Sequence, residues 1–198
     1  MDIYFSAADL CKKSAAQILY LRNKQERIRT WRMEMGIKYQ HQVAEQKEDA
    51  AEEFRTSIAD GDIVIFACHD IVCPDKLIEV KSIEGETEQW YFESSLLQTA
   101  YYKSIVMSSD GHMFTPKFRL REGYKKEHKK VNPNIAYHLL FGEEEFDIEV
   151  QNPQKMVEYF FTKAEATLLD YATARAYDAE HKFKHYEELK ECFTWKKL

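Results

Sequence analysis

The sequence predicts an α/β or α+β protein: one β-sheet flanked by helices. Three observations predict it. Helical periodicities open and close the chain, while the most β-branched segments lie between them. The 198 residues suit one domain with a sizeable core, and 44% hydrophobic with 14% aromatic residues describe a packed chain, not a disordered one. Six glycines and four prolines leave few places to divide it, so residues 1–198 read as a single domain with a helical region from 152 onward.

The first element is a helix in FSAADLCKKSAAQILYLRN, capped near Ser6, with Leu10, Ile18 and Leu21 among its apolar positions. A second helix is expected over about 34–58, rich in Glu, Gln and Ala. IVIFACHDIVC and, after a turn, LIEVKSI are the strongest strands of the chain. SSLLQTAYYKSIV, residues 94–106, fits a helix with Ser94 or Ser95 as its N-cap. HMFTPKFRLREGY and NIAYHLLFGEEEFDIEV read as further strands around loops. Asn152-Pro153 is a helix-starting pair, after which Met156, Phe160, Leu168, Tyr171 and Ala174 recur at helical spacing and predict a long C-terminal helix.

Charge and cysteine usage narrow the class. A net charge of −6 and a pI near 5.7 argue against a protein that coats nucleic acid over its whole surface. Residues 117–130 nevertheless hold seven Lys or Arg against two Glu. Within that run Lys117, Arg119, Arg121, Lys125 and Lys126 are candidate DNA-backbone contacts, although either this run or the basic stretch 22–32 alone also describes a solvated face. The four cysteines (Cys11, Cys68, Cys73, Cys192) show no paired spacing, so neither a structural zinc nor a disulfide framework is expected. The expectation is a reducing, cytoplasmic setting. No apolar run approaches the roughly 18 residues of a membrane span, and the N-terminus has no secretory pattern.

The most strand-like region carries an anomaly. In HDIVCPDKLIEVKS, residues 69–82, Pro74-Asp75 suits a turn centre. A hairpin symmetric about it, with a two- or four-residue loop, sets Val72 opposite Leu77, Ile71 opposite Ile78 and Asp70 opposite Glu79. Opposed residues share a face, and Lys81, two residues beyond Glu79, shares it too. Two facing acids repel unless a cation lies between them, and Asp and Glu oxygens suit Mg²⁺ or Mn²⁺. A lysine beside such a metal can hold or activate a water and stabilise charge on a phosphate. The plain alternative is a hairpin edge with a cross-strand salt bridge. His41, five residues after Gly36, could complete a metal shell, and Gln98 and Tyr102 at i, i+4 lie on one helix face.

Taken in order, these residues resemble the RecB-like and Cas4-like branch of the PD-(D/E)XK nuclease superfamily. The pattern is Ser6 and Cys11 with a basic pair, Gly36 to His41, a strand ending in Asp70, then Glu79-Val80-Lys81, then Gln98 to Tyr102. It covers roughly residues 4–106. The resemblance implies a restriction-endonuclease-like mixed central β-sheet flanked by helices. It implies His41, Asp70, Glu79 and the Val80 backbone carbonyl as ligands of Mg²⁺ or Mn²⁺. Lys81 would position or activate the water, and Gln98 and Tyr102 would orient Lys81 or the DNA backbone. The implied activity is phosphodiester hydrolysis, an exonuclease on single- or double-stranded DNA ends being preferred over an endonuclease. Recombination, repair or phage DNA metabolism is the setting. A second copy or a recombination or repair protein is the candidate protein partner. A catalytically silent nuclease-fold binding protein is the alternative from another class. Two departures stand out. Ala67 and Cys68 replace the glycine often found before the Asp, and only Cys192 lies near the C-terminus, so no iron–sulfur cluster is expected.

Overall fold

The computed structural model describes residues 2–24, 31–83, 85, 87–116, 126–181 and 184–198. In chain order the elements are β1 (Ile3–Ser6), α1 (Ala7–Lys12), α2 (Ala15–Lys24), α3 (Trp31–Glu45), β2 (Ala51–Asp60), β3 (Ile63–Val72) and β4 (Lys76–Lys81). There follow α4 (Gln89–Ser108), β5 (His112–Phe114), β6 (His128–Lys130), β7 (Ala136–Phe141), β8 (Glu144–Val150), α5 (Pro153–Leu169), α6 (Tyr171–His181), α7 (His185–Leu189) and β9 (Phe193–Lys197). The strands form one mixed sheet in the order β6-β5-β2-β3-β4-β7-β8-β9, with β1 also paired to β3. The β1–β3 and β4–β7 pairings are parallel and the others antiparallel.

The α/β class and the flanked sheet expected from the sequence hold. Helix α4 buries a long face, from Ser95 to Val106, against one side of the sheet. There it meets Phe160 and Met156 of α5 in a single large core that runs from Phe5 to Phe193. On the other side of the sheet α3 covers a smaller cluster, Val43 and Ala44 over Ile71, Cys73, Ile78 and Val80. Among the described residues no helix is long and apolar enough to cross a membrane, and the four cysteines are free thiols.

Several expected boundaries move. The N-terminal helix is two helices behind a short strand. Ser6 does flank α1, but its side chain makes no cap bond. The break comes at Ser14, whose Oγ accepts from Gln17 N at 3.1 Å while Gln17 Oε1 accepts from Ser14 N at 3.0 Å. That reciprocal capping box starts a new helix. The second helix ends at Glu45, and residues 51–58 are strand: pairing with β3 along nearly its whole length overrides a helix-favouring composition. Helix α4 begins at Gln89, five residues before the expected cap. The hydroxyls of Ser94 and Ser95 instead donate back to the Tyr91 carbonyl from within the helix. The long C-terminal helix is broken as well. Asn152 caps α5 as expected, accepting from Lys155 N at 3.0 Å. Asp170 then turns extended (φ −160, ψ 174) and accepts from Thr173 N at 2.7 Å, restarting the chain as α6. The final residues form not helix but β9, the sheet's last strand, paired to β8.

Candidate active site

The 69–82 hairpin has the predicted register at its tip. Cys73 N donates to Lys76 O at 2.9 Å, Val72 faces Leu77 and Ile71 faces Ile78. Beyond that pair the strands separate, and the next residues are the two acids. Asp70 does not face Glu79 through a ladder bond. Its carboxylate Oδ2 accepts from Val80 N at 2.9 Å, taking the place a strand carbonyl would fill. In an extended strand a residue's N–H and C=O share one edge, so the Val80 carbonyl opens toward Asp70 as well.

Glu79 points into the layer beneath α4. Its side chain is 2% exposed and that of Lys81 is 10%, so this is a buried ion pair. Lys81 Nζ donates to Glu79 Oε1, and Gln98 Nε2, from α4, donates to the same oxygen at 2.6 Å. Among the described residues nothing hydrogen-bonds the buried Glu79 Oε2 or the buried Gln98 Oε1. A buried carboxylate oxygen left bare is costly unless something cationic or donating meets it. One helical turn beyond Gln98, Tyr102 packs edge-on to His69, ring centroids 5.8 Å apart. His69 is in turn fixed by Thr56 Oγ1 at 2.8 Å and Tyr137 OH at 2.7 Å.

The electrostatics follow from burial and crowding. Burial, then the neighbouring Glu79 charge, push the Asp70 carboxyl up to about 7, against the pull of Lys81 and the Val80 amide. Burial alone would lower Lys81, but Glu79 and then Asp70 outweigh it and hold the ammonium above its ordinary value. Lys12 of α1 is exposed as a residue, yet crowding around its ammonium, then repulsion from Lys81, bring it down to about 8. In the sequence Lys12 is visible only as half of a basic pair.

The remaining predicted residues lie elsewhere. Helix α3 does pass the hairpin: Gln40 Nε2 donates to the Asp70 carbonyl at 3.0 Å, and Tyr39 OH to the Gly142 carbonyl at 2.7 Å. His41, one residue on, turns to Glu52, its Nδ1 2.7 Å from the carboxylate, and is 40% exposed. Among the described residues no three His, Cys, Asp or Glu side chains converge closely enough to hold a metal ion. A Mg²⁺ or Mn²⁺ site built from one or two carboxylates, with water and substrate oxygens for the rest, needs fewer. Asp70, the bare Glu79 Oε2 and the Val80 carbonyl have the donor chemistry for that. Of the basic candidates, Lys126 is exposed, whereas Lys117, Arg119, Arg121 and Lys125 lie outside the described residues. Comparison with protein-family models, with curated proteins and with solved structures finds no match to this chain.

Proposed function

We propose that the chain is a Mg²⁺- or Mn²⁺-dependent DNA nuclease of the PD-(D/E)XK type, acting as an exonuclease on DNA ends. The observation that carries this reading is the buried Lys81–Glu79–Gln98 cluster, with the half-buried Asp70 carboxylate held on the Val80 amide beside it, at the point where β3 and β4 separate. An ordinary salt-bridged hairpin has no reason to bury Glu79 with one oxygen bare. Nor does it need to spend Gln98, from a different element, on the other oxygen.

In this reading Asp70, Glu79 and the Val80 carbonyl hold the metal. The metal supplies Lewis-acid activation of water and charge neutralisation at the phosphate. The chain's own contribution is placement. Gln98 fixes the rotamer of Glu79, and the Lys81–Glu79 pair holds the ammonium where a water and a phosphate oxygen would be oriented. Tyr102 and the Thr56–His69–Tyr137 chain make a stiff wall behind it. One observation favours a second reading, a nuclease-fold protein that binds DNA without cutting it: His41 is engaged by Glu52 and not by the acids of the hairpin.

A cleavage time course on end-labelled linear DNA and on closed circles, with Mn²⁺, Mg²⁺ or EDTA, separates the readings. Metal-dependent loss of linear DNA with circles spared is the expected result. Nicked circles would make it an endonuclease. Saturable Mn²⁺ binding without cleavage of any form would give first place to the silent binding protein.

A further inference from the structure

Beside the Asp70 carboxylate the sheet's pleat slips by one residue. Alternate residues of a regular strand share a face. In β3 this rule fails across Asp70. His69 packs among Tyr102 and Tyr137 under α4, whereas Ile71 belongs with Ile78, Val80 and Val43 under α3. The adjoining strand slips at the same level. Phe54 of β2 sits in the main core, but Glu52 reaches His41 on α3. The ladder pairs Glu52 with Ile71 and Phe54 with His69, so Glu53 falls opposite Asp70.

Glu53 has φ 58, the left-handed conformation that L side chains rarely adopt, at the third position of a ten-residue strand. Glycine would take it without steric cost, yet a half-buried glutamate occupies the position. Strained backbone of this kind persists where surrounding structure enforces it, and such sites cluster at functional centres.

We propose that Glu53 is a positioning residue for Asp70: its left-handed backbone resets the pleat and turns the Asp70 carboxylate into the plane of the sheet, onto the Val80 amide. The functional consequence rests on the nuclease reading, in which Asp70 is a metal ligand. The geometric claim does not.

The test is a series at one position, Glu53→Gly, Glu53→Ala and Glu53→Val. All three lack the carboxylate and differ in their tolerance of positive φ. Thermal unfolding, Mn²⁺ affinity by isothermal titration, and hydrogen exchange of the Val80 amide are measured on each. Glu53→Gly is expected to keep Mn²⁺ affinity within threefold, with the Val80 amide protected and the melting temperature equal or higher. Glu53→Val is expected to lose at least tenfold in affinity and to expose the Val80 amide, with Glu53→Ala between them. Should Glu53→Val not fold, the Gly–Ala pair decides. Equal loss in Gly and Val would assign the effect to the carboxylate and overturn the proposal, as would native Val80 protection in the Val and Ala variants. If the wild type binds no Mn²⁺ and cuts no DNA, the nuclease reading falls. The Val80 exchange pattern then still decides whether Glu53 places Asp70.

Discussion

At the scale of single residues, the Lys81–Glu79 pair has a structural role and a proposed catalytic one, which a simple alanine substitution would confuse. Both side chains are withdrawn from water, so removing Lys81 alone strands a buried carboxylate. Breaking a buried pair in this way costs about 3–5 kcal/mol, whereas replacing both partners by apolar or neutral groups is far milder. Lys81→Met is therefore expected to lower stability by about that amount, and Lys81→Met with Glu79→Gln to recover most of it. In the nuclease reading both would be inactive. Urea unfolding checks this, and a loss below about 1 kcal/mol in the single variant would mean that water reaches the pair. The double variant then serves as the folded, inactive control. Two buried histidines set the acid limit. Burial pushes His69 down to about 3, and burial with the adjacent Lys163 charge does the same to His185. Each stays neutral in the folded chain but takes a proton near pH 6.5 when unfolded, so its contribution is full above that pH and is lost as pH falls toward 3. A tenfold difference in proton affinity between the folded and unfolded chain is worth about 1.4 kcal/mol. Asp70, raised to about 7, works in the opposite sense between pH about 4 and 7, because its folded form holds a proton that its unfolded form has released. Two histidines outweigh one acid, so unfolding free energy should fall from pH 6.5 to 4. His69→Gln should flatten that slope, and an unchanged slope would show that His69 is not held neutral.

Elements show where the sequence could be read and where it could not. The hairpin was legible because register follows from a turn centre and a period of two: Val72–Leu77 and Ile71–Ile78 pair as the Pro74-Asp75 turn requires. The shared helix face of Gln98 and Tyr102 was legible because i, i+4 spacing and helix geometry are local properties. The contact of His41 with Glu52 was not, since Glu52 belongs to a stretch whose composition favours helix and whose strand state comes from pairing with β3. The role of Lys163 was equally hidden, because its contacts reach 150 residues and more along the chain. Fully buried on α5, it donates to the carbonyls of Leu10 at 2.6 Å and Lys13 at 2.7 Å, where α1 ends. Asp178 of α6 accepts from Ala15 N at 2.7 Å and Ala16 N at 3.0 Å, where α2 begins. The C-terminal helices thus hold both sides of the α1–α2 corner. Lys163→Met strands buried main-chain carbonyls and should cost about 2–4 kcal/mol. Asp178→Ala removes a helix cap and should cost about 1–2 kcal/mol. Hydrogen exchange should place the lost protection at residues 10–18 in both. Loss confined to α5 or α6 would mean that the corner stands without them.

For the whole molecule, the consequence is that the region after residue 151 is part of the one large core and not an appendage. That core takes Phe5 and Leu10 from the N-terminus, Tyr101 and Tyr137 from the middle, and Phe160, Leu189 and Phe193 from the end. Tyr101 and Phe160 stack with centroids 4.1 Å apart, so α4, which carries Gln98 and Tyr102, rests directly on α5. Strand β9 closes β8 in register from Phe146–Lys197 to Val150–Phe193. Cutting the chain after Gln151 would expose the α4 face, open the edge of β8 and unpin the α1–α2 corner together. Even though residues 4–106 carry every motif of the nuclease resemblance, the fragment 1–151 should therefore show no cooperative thermal transition, and it should bind a dye for exposed apolar surface. Full-length protein should unfold in one step, with near-ultraviolet and far-ultraviolet circular dichroism changing together. A folded 1–151 fragment with a sharp transition would contradict this and make the C-terminal helices a separable layer. If that fragment also kept metal-dependent cleavage, the site would need only the hairpin and α4 to stand.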